Sequence, residues 1–89
     1  MEIRAEILNF VRNDLLNGAD KFNLTPATEL IQSGVIDSLG IMKLLSFLEE
    51  KFSIRIAGEY LLPENFETVD KICSLIEKLL SQTGIGNEF

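Results

Sequence analysis

The stretch Gly34–Phe52, GVIDSLGIMKLLSFLEEKF, decides how this chain is built. Turned at about 100° per residue, Ile41, Met42, Leu44, Leu45, Leu48 and Phe52 fall on one arc. Lys43, Ser46 and Glu50 share the opposite side. The pattern predicts an amphipathic helix from Ser38 to Phe52, entered through Asp37-Ser38. Aspartate and serine oxygens accept from the unpaired N–H groups of a first helical turn, so the pair suits an ordinary cap. The backbone dipoles there also favour an anionic group, so a serine hydroxyl just inside a helix start suits a phosphodiester. Leu39 lies in the middle of the polar side, either as an ordinary surface leucine or as a docking knob beside Ser38.

The flanking sequence supplies further helices. Ile3, Ile7, Leu8, Phe10, Val11 and Leu15 share a face over residues 2–16, a first helix that Asn17-Gly18 stops. Gly18 to Asp37 reads as a long connection, too long to stay structureless in a compact domain. Phe22, Leu24, Leu30, Ile31, Val35 and Ile36 are its expected anchors, and Thr25-Pro26 a possible helical turn. Residues 53–67 form a second connection with a short helix at Pro63-Glu64-Asn65, and Ile54, Ile56, Tyr60, Leu61, Leu62 and Phe66 are expected to face inward. Thr68 caps a last helix whose apolar face holds Val69, Ile72, Cys73, Leu75, Ile76, Leu79 and Leu80. The expected architecture is all-α, a small four-helix bundle of three main helices and one short one over residues 1–80, followed by a flexible tail at 81–89.

Composition narrows the function classes. A chain of 89 residues holds one domain with a small core, and 46% apolar against 25% charged residues is a globular balance. The net charge of −6 argues against nucleic acid and for partners with basic patches. With no histidine, the usual general base and the commonest metal ligand are missing, and no metal site is expected. Cys73 is the only cysteine, read as core filler in a reducing compartment. Met1-Glu2-Ile3-Arg4 does not open like a signal peptide, and no apolar run is long enough to cross a bilayer. The expectation is a cytoplasmic monomer without membrane insertion.

Asp37-Ser38-Leu39, the apolar helix behind it and Glu49, Glu50 and Phe52 at its end resemble the attachment region of the acyl and peptidyl carrier proteins. The likeness extends from about Ile3 to Leu80, through the Ile54-Arg55-Ile56 segment and the Thr68-Val69 helix start. It implies that a carrier protein synthase, a phosphopantetheinyl transferase, moves 4′-phosphopantetheine from coenzyme A to Ser38. The arm's thiol would then carry acyl or aminoacyl intermediates as thioesters, in fatty acid or secondary metabolite biosynthesis, and the protein itself would catalyse nothing. Asp37 would meet basic groups or metal in the synthase, although the helix dipole alone also favours an acid there.

Partner recognition is expected at Asp37, Leu39, Gly40, Met42, Lys43, Glu49 and Glu50. Gly40 either gives the arm or a partner close access or is simply tolerated, at a cost of about 1 kcal/mol relative to alanine. Gly40 and Lys43 depart from the acids that typical fatty-acid-synthesis carriers place on this helix. The chain is therefore more similar to discrete carriers served by acyl or aminoacyl adenylating ligases, ahead of downstream acyl-transfer enzymes. Met42, Leu45 and Leu48 could open a cleft for cargo against the last helix or simply fill the core. The competing class is an unmodified helical protein–protein interaction module that binds through Leu39 and the acidic rim.

Overall fold

A computed structural model describes residues 2–16 and 24–86, with side chains to Ser81. Three α-helices form it: α1 (Ile3–Phe10), α2 (Ser38–Phe52) and α3 (Val69–Gly86). Two short 3-10 turns, Gly58–Tyr60 and Pro63–Phe66, link α2 to α3, and no strand occurs among the described residues. The expected short helix is the second of these turns, opened by Pro63, whose fixed φ suits a first helical position. The expected first helix changes character at Val11, where Val11–Leu15 widens into a π-helical turn. The expected stop at Asn17-Gly18 and the anchor Phe22 lie outside the described residues.

The core is one cluster in which Ile7, Val11, Leu30, Leu44, Leu48, Val69, Ile72 and Ile76 are almost fully buried. α1 packs mainly on α3. It meets α2 through Phe10, whose ring stacks on Phe47 with centroids 4.2 Å apart, while Phe47 meets Phe52 edge-on at 6.4 Å. Phe47 is thus covered by an aromatic ladder although it lies off the α2 core arc. Lys51 Nζ reaches Glu6 Oε1 across the same pair of helices at 3.4 Å. Cys73 is buried beside Glu77, and burial first, then the Glu77 charge, pushes its thiol pKa up. That is the behaviour of a core filler rather than a reactive nucleophile.

Several expected anchors are corrected. Ile31, Leu61 and Leu62 are exposed, because the chain runs there through tight turns whose hydrogen bonds fix the backbone with these side chains facing outward. Met42 is also exposed, at 64%, because Leu44, Leu48 and Phe52 already fill the core side of α2. The expected cleft of Met42, Leu45 and Leu48 therefore lacks one wall. α3 runs to Gly86, beyond the expected boundary at Leu80, since no helix breaker stands between Leu80 and Gly84 and an established helix adds residues cheaply. Residues 87–89 of the expected tail lie outside the described residues.

α2 ends by a device the sequence pattern does not announce. Ser53 takes the left-handed conformation at φ 54°, and the Ile54 N–H returns to the Glu49 carbonyl, the bond pattern of a Schellman stop. The Glu49 carboxylate then accepts from the Ile56 N–H at 2.9 Å. Together these bonds hold the extended 54–57 segment against α2, with Ile54 and Ile56 in the core. Glu49→Ala should lower stability by about 1–2 kcal/mol, because the Ile56 N–H loses a charged acceptor, whereas Glu50→Ala should change it by less than about 0.5 kcal/mol. Urea denaturation of the two variants provides the measurement; equal midpoints would contradict the assignment.

Candidate functional site

The start of α2 is positioned by the connection before it. Thr25 and Thr28 close a hydrogen-bonded turn in which the Thr25 N–H donates to Thr28 Oγ1 at 2.8 Å and the Ala27 N–H to Thr25 Oγ1 at 3.2 Å. Beyond it, the Leu30 N–H donates to the Glu67 carbonyl at 2.7 Å, and the Asp70 N–H to the Pro26 carbonyl at 3.0 Å. Gly34 turns the chain at φ 85°, a conformation favouring glycine, and the Ile36 N–H returns to the Leu30 carbonyl. Buried Leu24, Leu30, Val35 and Ile36 seat this segment, which delivers Asp37 to the helix start.

Asp37 is the cap. Its Oδ1 accepts from the Gly40 N–H at 2.8 Å, and its carbonyl accepts the Ile41 N–H at 2.9 Å. Ser38 is the first residue of α2, exposed, and its hydroxyl has no hydrogen-bond partner among the described residues. The sequence left open which of the two residues caps; the geometry assigns that duty to Asp37 and leaves Ser38 Oγ facing solvent chemistry. Leu39 beside it is 63% exposed, and Met42 stands one helical turn on from Ser38. Lys43 and Glu50 are exposed on the flank nearer α1.

Two of the expected recognition residues have a duty in the fold. Gly40 is buried, and a Cβ placed there would lie 3.2 Å from Asp37 Oδ1 and 3.4 Å from Ile36. The missing side chain lets the capping carboxylate close over the backbone, which gives Gly40 a structural duty. Glu49 is half-buried and committed to Ile56. The cap was legible in the sequence as the pair Asp37-Ser38, without saying which of the two holds it; the Glu49 brace escaped sequence reading, since it depends on where the backbone goes.

No family model matches the chain. Over 77 residues it is 27% identical to the probable acyl carrier protein PigG of Serratia sp. (strain ATCC 39006), covering 86% of this chain and 87% of that protein. The D-alanyl carrier protein of Streptococcus suis (strain 98HAH33) is 26% identical over 80 residues, covering 90% and 98%. Among solved structures, a chain from the crystal structure of an FAD-dependent dehydrogenase superposes with a TM-score of 0.74 at 35% identity, covering 80% of this chain and 99% of that one. A helical bundle with an exposed serine opening its second helix, matched to carrier proteins over nearly their whole length, is a carrier and not an enzyme. The names of these relatives indicate an acyl or aminoacyl carrier protein function for the chain.

Asp37→Ala should cost about 1 kcal/mol of stability, and Asp37→Asn much less, because asparagine keeps a capping oxygen. Leu39→Ala should cost less than about 0.5 kcal/mol, against about 2–5 kcal/mol for fully buried Leu48→Ala. Thermal melts of the four variants check the ordering, and a Leu39 loss approaching that of Leu48 would place Leu39 in the core.

Proposed function

We propose that Ser38 carries 4′-phosphopantetheine and that this domain presents acyl or aminoacyl thioesters to partner enzymes. The observation that supports it best is the division of labour at the α2 start. Asp37 does the capping, so the adjacent hydroxyl can be esterified without loss of a structural bond. The Ser38 and Leu39 N–H groups of the first turn have no acceptor among the described residues, and the helix dipole favours an anion beside them. These features fit a phosphodiester. Attachment exchanges the Ser38 Oγ–H bond for an Oγ–P bond, the proton leaves, and coenzyme A is cleaved at its pyrophosphate to release adenosine 3′,5′-bisphosphate. When bound, the group supplies a thiol that forms thioesters.

The chain's own residues hold the attachment point still and mark it. Exposed Leu39 and Met42 offer apolar contacts next to Ser38, and Asp37, Lys43 and Glu50 add charge around them. Partners of this reading are a phosphopantetheinyl transferase, an acyl or aminoacyl ligase and enzymes acting on the loaded arm. The likeness to a chain from a flavoenzyme crystal structure supports an FAD-dependent dehydrogenase among the last group. That chain is spanned almost entirely by part of these 89 residues, the size of a carrier and too short for a dinucleotide-binding domain.

With coenzyme A and a broad-specificity phosphopantetheinyl transferase, intact mass should rise by one arm in wild type and not at all in Ser38→Ala, whose helical circular dichroism stays unchanged. Labelling that survives in Ser38→Ala, or wild type that never labels, would leave an unmodified interaction module. Lys43→Glu should slow loading by an adenylating ligase and quicken it with a fatty-acid-type acyltransferase, both effects fading as salt rises. Identical responses of the two enzymes would remove Lys43 as a selectivity residue.

A further inference from the structure

We propose that Lys43 is a second acyl site, which takes the acyl group from the arm's own thioester as a stable amide; this rests on attachment at Ser38. Leu39, the residue after Ser38, and Lys43 stand one helical turn apart on α2, and both line a cavity of about 170 Å³ together with Asp37. The lysine therefore shares a hollow with the two neighbours of the attachment point. It is exposed and has no hydrogen-bond or ion-pair partner among the described residues.

The reach favours this lysine. At about 1.5 Å of rise per residue, Lys43 lies roughly 7 Å along α2 from Ser38 and Lys51 roughly 20 Å. The arm has about as many backbone-like bonds as five amino-acid residues, so fully extended it spans roughly 17 Å. Its end meets Lys43 with length to spare. Lys51 stands beyond that span along the axis, and its Nζ is held by Glu6 at 3.4 Å. Lys78 lies over the Tyr60 ring, 5.4 Å from the centroid. Lys71, in the first turn of α3, is exposed and is the competing amine.

The chemistry needs nothing that a loaded carrier lacks. A thioester carbonyl is electrophilic and an amide is the more stable acyl derivative, so transfer from sulfur to nitrogen runs downhill. The Lys43 ammonium releases one proton to water, the resulting amine attacks the carbonyl, the C–N bond forms and the C–S bond breaks. A second proton passes from nitrogen to sulfur, which returns as the thiol. Asp14, from the π-helical turn, and Asp37, from the helix start, line the same cavity, and their attraction keeps the lysine beside the attachment point. A flexible tether presents its end at an effective concentration on the order of millimolar, well above that of other molecules' amines in dilute protein. The transfer therefore stays within one molecule and empties the arm without an enzyme. It also cancels the Lys43 charge, so a domain whose cargo goes uncollected keeps a lasting mark near Ser38.

The test arms the full-length chain with acetyl-coenzyme A and a phosphopantetheinyl transferase, then holds it in mildly alkaline buffer. Hydroxylamine cleaves a thioester and spares an amide, so intact mass after that treatment counts acetyl groups on nitrogen, and peptide mapping locates them. Per armed molecule, wild type should gain one acetyl group on Lys43, at a rate independent of protein concentration. Lys43→Arg should lose that mark and Lys71→Arg should keep it in full, while Ser38→Ala with the same acetyl-coenzyme A should gain none. A resistant mark that persists in Lys43→Arg, maps to Lys71 or another amine, forms equally in Ser38→Ala, or never forms in armed wild type would overturn the transfer while leaving attachment intact. Wild type that takes up no arm would overturn the attachment and the transfer with it.

Discussion

Two backbone hydrogen bonds, Leu30 N–H to the Glu67 carbonyl and Asp70 N–H to the Pro26 carbonyl, tie the connection before α2 to the entry of α3. Everything at the site depends on that tie. The connection is otherwise a run of turns with little regular structure of its own, and its freedom is an entropy cost that burial of Leu24, Leu30, Val35 and Ile36 must offset. Once it is fixed, Asp37 arrives at the helix start with extended backbone and its carboxylate aimed at Gly40. Ser38 then takes helical geometry and projects outward.

The bracing at the other end of α2 follows the same logic. The Schellman-type stop at Ser53 and the Glu49–Ile56 bond turn the chain back along the helix, which sets the start of the segment leading to the two 3-10 turns and α3. Thr68 accepts the Lys71 N–H at 3.1 Å and begins α3. The Arg4–Asp70 ion pair is exposed at this same corner and contributes little beyond orientation. Strength lies in the apolar cluster, and the polar bonds decide where its elements start and stop.

Much of this was legible in the sequence because it rests on periodicity. The 3.6-residue repeats gave α2 to the residue, the inward face of α3 and the Thr68 cap. What escaped was set by backbone direction. Leu61 and Leu62 follow an apolar pattern yet turn outward in a 3-10 connection, Met42 sits at the edge of an arc that three other side chains already fill, and Val11–Leu15 widens to a π turn that no side-chain spacing foretells. At the site, Ser38 and Leu39 could be read from their positions in the helix. Gly40 and Glu49 could not, because their partners, Asp37 Oδ1 and the Ile56 N–H, lie on segments whose path only folding determines.

The separation of Asp37 from Ser38 in their duties has a consequence for how the domain communicates. The side chain that caps α2 belongs to Asp37, one residue before the position proposed for attachment. On that proposal, bare, armed and loaded forms would share one backbone, and a visiting enzyme would gain no cue to loading from the shape of the bundle. The message would then be written on the arm and its immediate neighbours, with the bundle as an address that stays constant from one delivery to the next.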